Sequence, residues 1–173
     1  LVIWVPIVGG ALVSLTGASR ANTARWLALA IAILTFVLSI PLFTGYDATS
    51  GTMQFVENYT WIAAIAANYH LGADGISIAL ILLTTLMGFI AILSSWTAIT
   101  ERVKEYYIFL LVLQTGMLGA FMSLDFLLFF LFWEVMLVPM YFLIGIWGSA
   151  NRLYSAIKFF LYTLVGSVVM LLG

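Results

Sequence analysis

Apolar residues run along this chain almost without interruption, and the rare polar positions divide them into pieces of membrane length. Uncharged apolar runs give six candidate helices, at roughly 1–16, 26–43, 76–97, 106–124, 126–147 and 156–173. About 20 mostly apolar residues are needed to cross a hydrocarbon core of ~30 Å. The 42 residues from Tyr106 to Trp147 would form a rod of about 63 Å, twice the thickness of that core, so they must turn once. Ser123-Leu-Asp125 is the polar interruption that divides them into two spans, and serine and aspartate both cap a following helix well. The first and last runs are cut by the chain ends, so the chain reads as a fragment. Leu1 to Thr16 has no basic stretch ahead of it and no small-residue cleavage pattern, which makes it the remainder of a spanning helix rather than a signal peptide.

Composition agrees with an all-α, polytopic transmembrane bundle of about six spans. The chain is 65% apolar and 8% charged, where a soluble domain is about 25% charged. Six basic and seven acidic side chains leave no basic surface for a nucleic acid. The absence of cysteine and the single histidine exclude disulfides, cysteine-ligated iron–sulfur clusters, thiolate zinc sites and a bis-histidine haem within the chain. No glycine-rich phosphate loop, metal-ligand spacing, nucleophile elbow or arginine-rich voltage-sensing helix is present in the sequence. The chain therefore carries no redox centre of its own, and transport, proton translocation or a scaffold role within a membrane complex remain.

Charge sets the expected orientation, because cytoplasmic loops hold the excess of lysine and arginine. Arg20 and Arg25 lie between the first two runs, Arg102 and Lys104 between the third and fourth, and Arg152 between the fifth and sixth. The alternate connections hold Asp47, Glu57, Asp74 and Asp125 instead. This pattern predicts an N-terminus outside, with loops 17–25, 98–105 and 148–155 in the cytoplasm. Trp26, Trp96 and Trp147 fall at the inside ends, as an interfacial belt requires. The connection from Thr44 to Gly75 is long, and its apolar stretch Trp61 to Ala67 is too short to cross; a hairpin or a short helix on the outside surface is expected. His70 in it reads as an exposed or locally bonded side chain. Asp74 reads as the cap of the third span, with Gly75 permitting a tight entry.

Two ionisable residues lie inside the runs. Glu134 stands eight residues, ~12 Å, into the fifth span, where a carboxylate costs ~2.5 kcal/mol or more and normally marks a proton or ion path or a buried partner. Pro139 withdraws a backbone bond from the turn that begins at Val135, immediately after it. Lys158 lies near the inside end of the sixth span, where a lysine can snorkel to the interface. The depth difference, ~6–9 Å against ~20 Å from the inside ends, argues against a direct Glu134–Lys158 ion pair. Gly116, Gly119, Ala120, Gly166 and Ser167 are small residues of the kind that let membrane helices approach closely. Gln114 could bond across helices or to a file of water.

The run Phe132-Trp133-Glu134-Val-Met-Leu-Val-Pro139-Met-Tyr141-Phe-Leu-Ile-Gly145-Ile-Trp147-Gly148 strongly resembles the chain M family of bacterial NADH-quinone oxidoreductase. Asn151-Arg152 and Lys158 through Tyr162 to Ser167 continue the resemblance. Leu71-Gly72-Ala-Asp74-Gly75-Ile-Ser77 and Ser123-Leu-Asp125-Phe-Leu-Leu-Phe-Phe also look like that family, the counterpart of mitochondrial subunit 4 in respiratory complex I. The resemblance implies the N-terminal third of a fourteen-helix protein built on two inverted repeats with broken helices. Residues 1–105 would then hold the first three helices, and residues 106–173 the start of the proton-translocating domain. It also implies a bacterial inner-membrane location. Glu134 would match a glutamate that adjusts the proton affinity of a lysine further along the family's chain, and Lys158 a family lysine on the sixth helix that is the second candidate for proton translocation. The function implied is proton pumping driven by NADH oxidation and quinone reduction in other subunits. NADH, flavin, iron–sulfur clusters and quinone would be held by those partners, and neighbouring antiporter-like subunits would lie beside the chain in the bilayer. The related readings are a subunit of a multi-subunit sodium/proton antiporter or of an energy-converting hydrogenase, and a non-pumping membrane scaffold.

Overall fold

A computed structural model describes residues 1–17, 21–62 and 67–172. Six helices alternate in direction: α1 (Trp4–Leu15), α2 (Ala21–Thr44), α3 (Gly75–Ser94), α4 (Val103–Met122), α5 (Phe126–Trp147) and α6 (Arg152–Leu172). Between α2 and α3 stands an antiparallel hairpin, β1 (Gln54–Ile62) and β2 (Ala67–Ala73). The last five helices are long and apolar enough to span a membrane. The first expected span is helical over 12 residues, about 18 Å, and so falls short of a full crossing. Arg20, and Ala63 to Ala66 of the apolar loop stretch, lie outside the described residues.

The bundle has a hairpin end and a tryptophan end. Around the tryptophan end Val13, Ala28, Ile92, Tyr107 and Leu111 join α1 to α4 in one buried cluster. Around the hairpin end Ile3, Leu71, Ile81, Leu118, Leu128 and Phe132 form a second. Trp26 and Trp96 meet edge to face at 5.0 Å, and Trp147 lies 5.2 Å from the ring of Tyr106 and donates its Nε1–H to the Glu101 carbonyl. The three tryptophans expected to share one interface therefore do share one end.

Helix ends explain the charge pattern a second time. The first N–H groups and last C=O groups of a helix lack intrahelical partners, and its N-terminus carries partial positive charge, its C-terminus partial negative. At the hairpin end α3 and α5 begin, and each begins on an aspartate: Asp74 accepts from Ser77 N at 2.7 Å, and Asp125 from Leu127 N and Leu128 N. Asp125, rather than Ser123, is the cap of α5. At the tryptophan end, Lys104 donates to the Thr16 carbonyl that closes α1, and Arg152 to Ile146 in the last turn of α5. Arg25 donates to Ile99 in the connection after α3.

The hairpin is fastened to the turn between α4 and α5. β2 is the buried strand, β1 the exposed one. The free edge of β2 is covered by residues 123–125: Leu71 bridges Ser123, Leu124 N donates to the His70 carbonyl, and Asn68 N donates to Asp125 Oδ2 at 3.1 Å. An edge so covered offers no template for another strand. Asp125 thus serves helix and hairpin at once, and its carboxyl is held below the ordinary value of 3.8, chiefly by the Asn68 N–H.

Close approach of α4 and α5 depends on two glycines of α4. A Cβ on Gly119 would lie 2.2 Å from the Phe132 ring, and one on Gly116 2.6 Å from Met136 Cγ. Gly166 differs from the expectation, since a Cβ there would meet nothing within 4 Å among the described residues. Two measurements follow. Gly119→Val should destabilise the bundle by about 1–3 kcal/mol, as overpacking does, read as a lowered thermal midpoint in detergent. Because the Asp125 pKa is depressed, its tie is intact above the unfolded value and is lost only as pH falls through the lower folded value. The exchange protection of the Asn68 amide should accordingly collapse below pH 3.8, and Asp125→Ala should show the loss at every pH.

Candidate functional site

The carboxyl of Glu134 lies on the face of α5 that meets α6. Three pairs fix the register of these antiparallel helices. A Cβ on Gly145 would lie 3.6 Å from the Ala156 Cβ, the rings of Tyr141 and Phe160 are 5.5 Å apart, and Ser167 Oγ donates to Glu134 Oε1 in a short hydrogen bond. Each step back of four or of seven residues in α5 matches an equal step forward in α6. Such steps return to one helical face, so the small contact at Gly145 and Ala156 aims Glu134 at Ser167 three turns away.

Glu134 is partly buried and Ser167 is 5% exposed. The Ser167 hydroxyl hydrogen is shared with the Leu164 carbonyl, 2.9 Å away. The sequence placed Ser167 among small packing residues; its second function as hydrogen-bond partner was legible only through the register. α5 runs unbroken through Pro139, which is fully buried. With no N–H at that proline, the Val135 carbonyl adjoining Glu134 lacks its usual intrahelical donor.

Lys158 takes no part in this pair. It sits two residues after Ala156, about 200° around the helix from the face that meets α5, and nine residues, ~13 Å, below Ser167. Its side chain is exposed and its Nζ stands 5.8 Å from the centre of the Tyr154 ring, one turn earlier. Among the described residues the ion pair present is Arg102 with Glu105, at the start of α4. Gln114 is buried in α4 against α3, and His70 stands in β2 opposite Asn58.

A hydroxyl–carboxyl bond between membrane helices contributes on the order of 1 kcal/mol. A double-mutant cycle with Glu134→Leu and Ser167→Ala should therefore show a coupling of about 1 kcal/mol in reversible unfolding. Additive effects would mean that the two side chains do not interact.

Comparison with known proteins agrees with this architecture. Residues 123–173, which include both Glu134 and Ser167, match the family model described as NADH:quinone oxidoreductase/Mrp antiporter, TM. NADH-quinone oxidoreductase subunit M of Rhodobacter capsulatus is 43% identical over all of this chain and 34% of its own length. Subunit M of Rickettsia typhi is 45% identical over 84% of this chain and 30% of its own. A chain of respiratory complex I from Thermus thermophilus, solved with bound NADH, superposes with a TM-score of 0.83 at 27% identity, covering 99% of this chain and 34% of that one. The chain spans about a third of the length of these relatives. A match over the entire sequence, joined to the same multi-helix fold and to the family segment that carries the membrane carboxyl, means that the chain belongs to the antiporter-like subunit M family of NADH-quinone oxidoreductase.

Proposed function

We propose that this chain forms part of a membrane subunit of NADH-quinone oxidoreductase that translocates protons, with Glu134 as a proton-carrying group. The observation that carries the reading is a carboxyl ~12 Å inside a spanning helix, bonded to the Ser167 hydroxyl of the next helix. NADH oxidation and quinone reduction take place in partner subunits, which hold the flavin, iron–sulfur clusters and quinone. Other antiporter-like subunits adjoin this one in the membrane. The subunit lies in the bacterial inner membrane with the tryptophan end in the cytoplasm, a direction supported by Arg25, Arg102, Lys104 and Arg152 at that end.

A carboxyl in such a place changes proton occupancy when its electrostatic surroundings change. A charge moving nearby, delivered by events in the partner subunits, would make the Glu134 carboxyl take up or release its proton. Lys158, exposed on α6 away from Glu134, is a second candidate on this route. The family description names Mrp antiporters beside NADH:quinone oxidoreductase, so the second reading is a sodium/proton antiporter subunit. The two differ in what drives transport, NADH and quinone in one case and a sodium gradient in the other.

The test compares wild type and Glu134→Gln in the full-length chain, assembled in its complex and reconstituted in vesicles. Quinone reductase rate and proton uptake should fall together, by about tenfold or more if the carboxyl relays protons. Unchanged rate and uptake would overturn the role, and reduced assembly with a normal pumping ratio would assign Glu134 to a scaffold.

A further inference from the structure

Midway along α4, on the side away from α5, a polar side chain is buried with a donor that has no acceptor. Gln114 is 2% exposed and its Nε2 lacks a hydrogen-bond partner among the described residues. Its amide lies flat against Gly88 of α3, where a Cβ would stand 2.6 Å from Nε2, 2.8 Å from Cδ and 2.9 Å from Oε1. The glycine therefore leaves the space into which the amide fits. Thr84, buried to 8% exposure, lies one turn before Gly88 on the same face of α3. Beside it, Thr85 and Ser39 of α2 are both fully buried and bonded to each other at 2.9 Å. Gln114 lies eight residues from the hairpin end of α4, and Glu134 eight residues from the hairpin end of α5. The two polar sites thus lie within about one turn of the same depth.

An amide N–H inside a membrane is costly to leave unbonded, and no bulk water reaches it there. Buried water occupies sites of this kind when several polar groups converge on them. We propose that Gln114, Gly88 and Thr84 form a site for one ordered water molecule between α3 and α4, accepting from Gln114 Nε2 and bonding onward to the Thr84 hydroxyl. The site extends the polar layer of the bundle from α5 and α6 across to α3 and α2. It stands whether or not Glu134 carries protons.

The test is an electron cryo-microscopy map of the full-length chain in its complex, at a resolution that shows water, for wild type and for Gln114→Met. Methionine keeps the length of the side chain without the donor. A peak within hydrogen-bonding distance of Nε2 in wild type, absent in Gln114→Met, is expected. No peak in wild type, with Nε2 turned onto a helix carbonyl instead, would overturn the site, as would a peak that persists in Gln114→Met. Should Gln114→Met fail to assemble, Thr84→Val takes its place, with the same loss of the peak expected and its persistence counting against the site.

Discussion

Hydrocarbon offers no hydrogen bonds, and the structure is organised by what that denies to helix ends and polar side chains. Six antiparallel helices bring like ends together in alternation, so each end of the bundle holds both N-termini and C-termini. Asp74 and Asp125 bind N–H groups where α3 and α5 begin. Lys104 and Arg152 bind carbonyls where α1 and α5 close. The few charges of the chain are thus placed by helix chemistry as well as by topology, and the two demands agree. That agreement is why a simple count of loop lysines and arginines separates the two ends of the molecule correctly.

The same denial makes packing exacting. Between membrane helices there is no water to expel, so association rests on close fit and on a few polar contacts. Gly119 and Gly116 let α5 lie against α4, which sets where α5 stands. Gly145 and Ala156 then set the register of α6 on α5. Once those contacts hold, helical periodicity brings Ser167 to Glu134 without any further element. The hairpin closes the arrangement from outside the bundle, since Asp125 holds β2 while it starts the helix that bears Glu134.

Much of this was legible in the sequence because it depends on one-dimensional patterns. The span from Phe126 to Trp147, the cap at Asp74 and the tryptophan belt follow from local composition. Composition left a hairpin or a short helix open for the long loop and Ser123 or Asp125 for the cap of α5, and the structure has the hairpin and Asp125. The short α1 was less legible, because an apolar run sets no lower limit on where its helix begins. Small residues were harder still. Gly119 and Gly166 look alike in sequence, yet a Cβ on one would press against a ring and a Cβ on the other would meet nothing within 4 Å among the described residues. Which face of a helix meets which neighbour is a three-dimensional fact, and Ser167 and Gly88 acquire their meaning only from it.

The partner chosen for Glu134 bears on what the carboxyl can do. A lysine in contact would favour the ionised carboxylate and tie the site to one charge state. A hydroxyl is neutral and carries both a donor and lone pairs. It can donate to a carboxylate, donate to the carbonyl oxygen of a carboxylic acid, or turn and accept from the acid's own proton. The Ser167 hydroxyl also has the Leu164 carbonyl as a second acceptor, so its hydrogen stays bonded when the carboxyl changes state. The bond therefore holds the position of Glu134 whichever form its carboxyl takes, and Lys158, about 200° away on α6, takes no part in it.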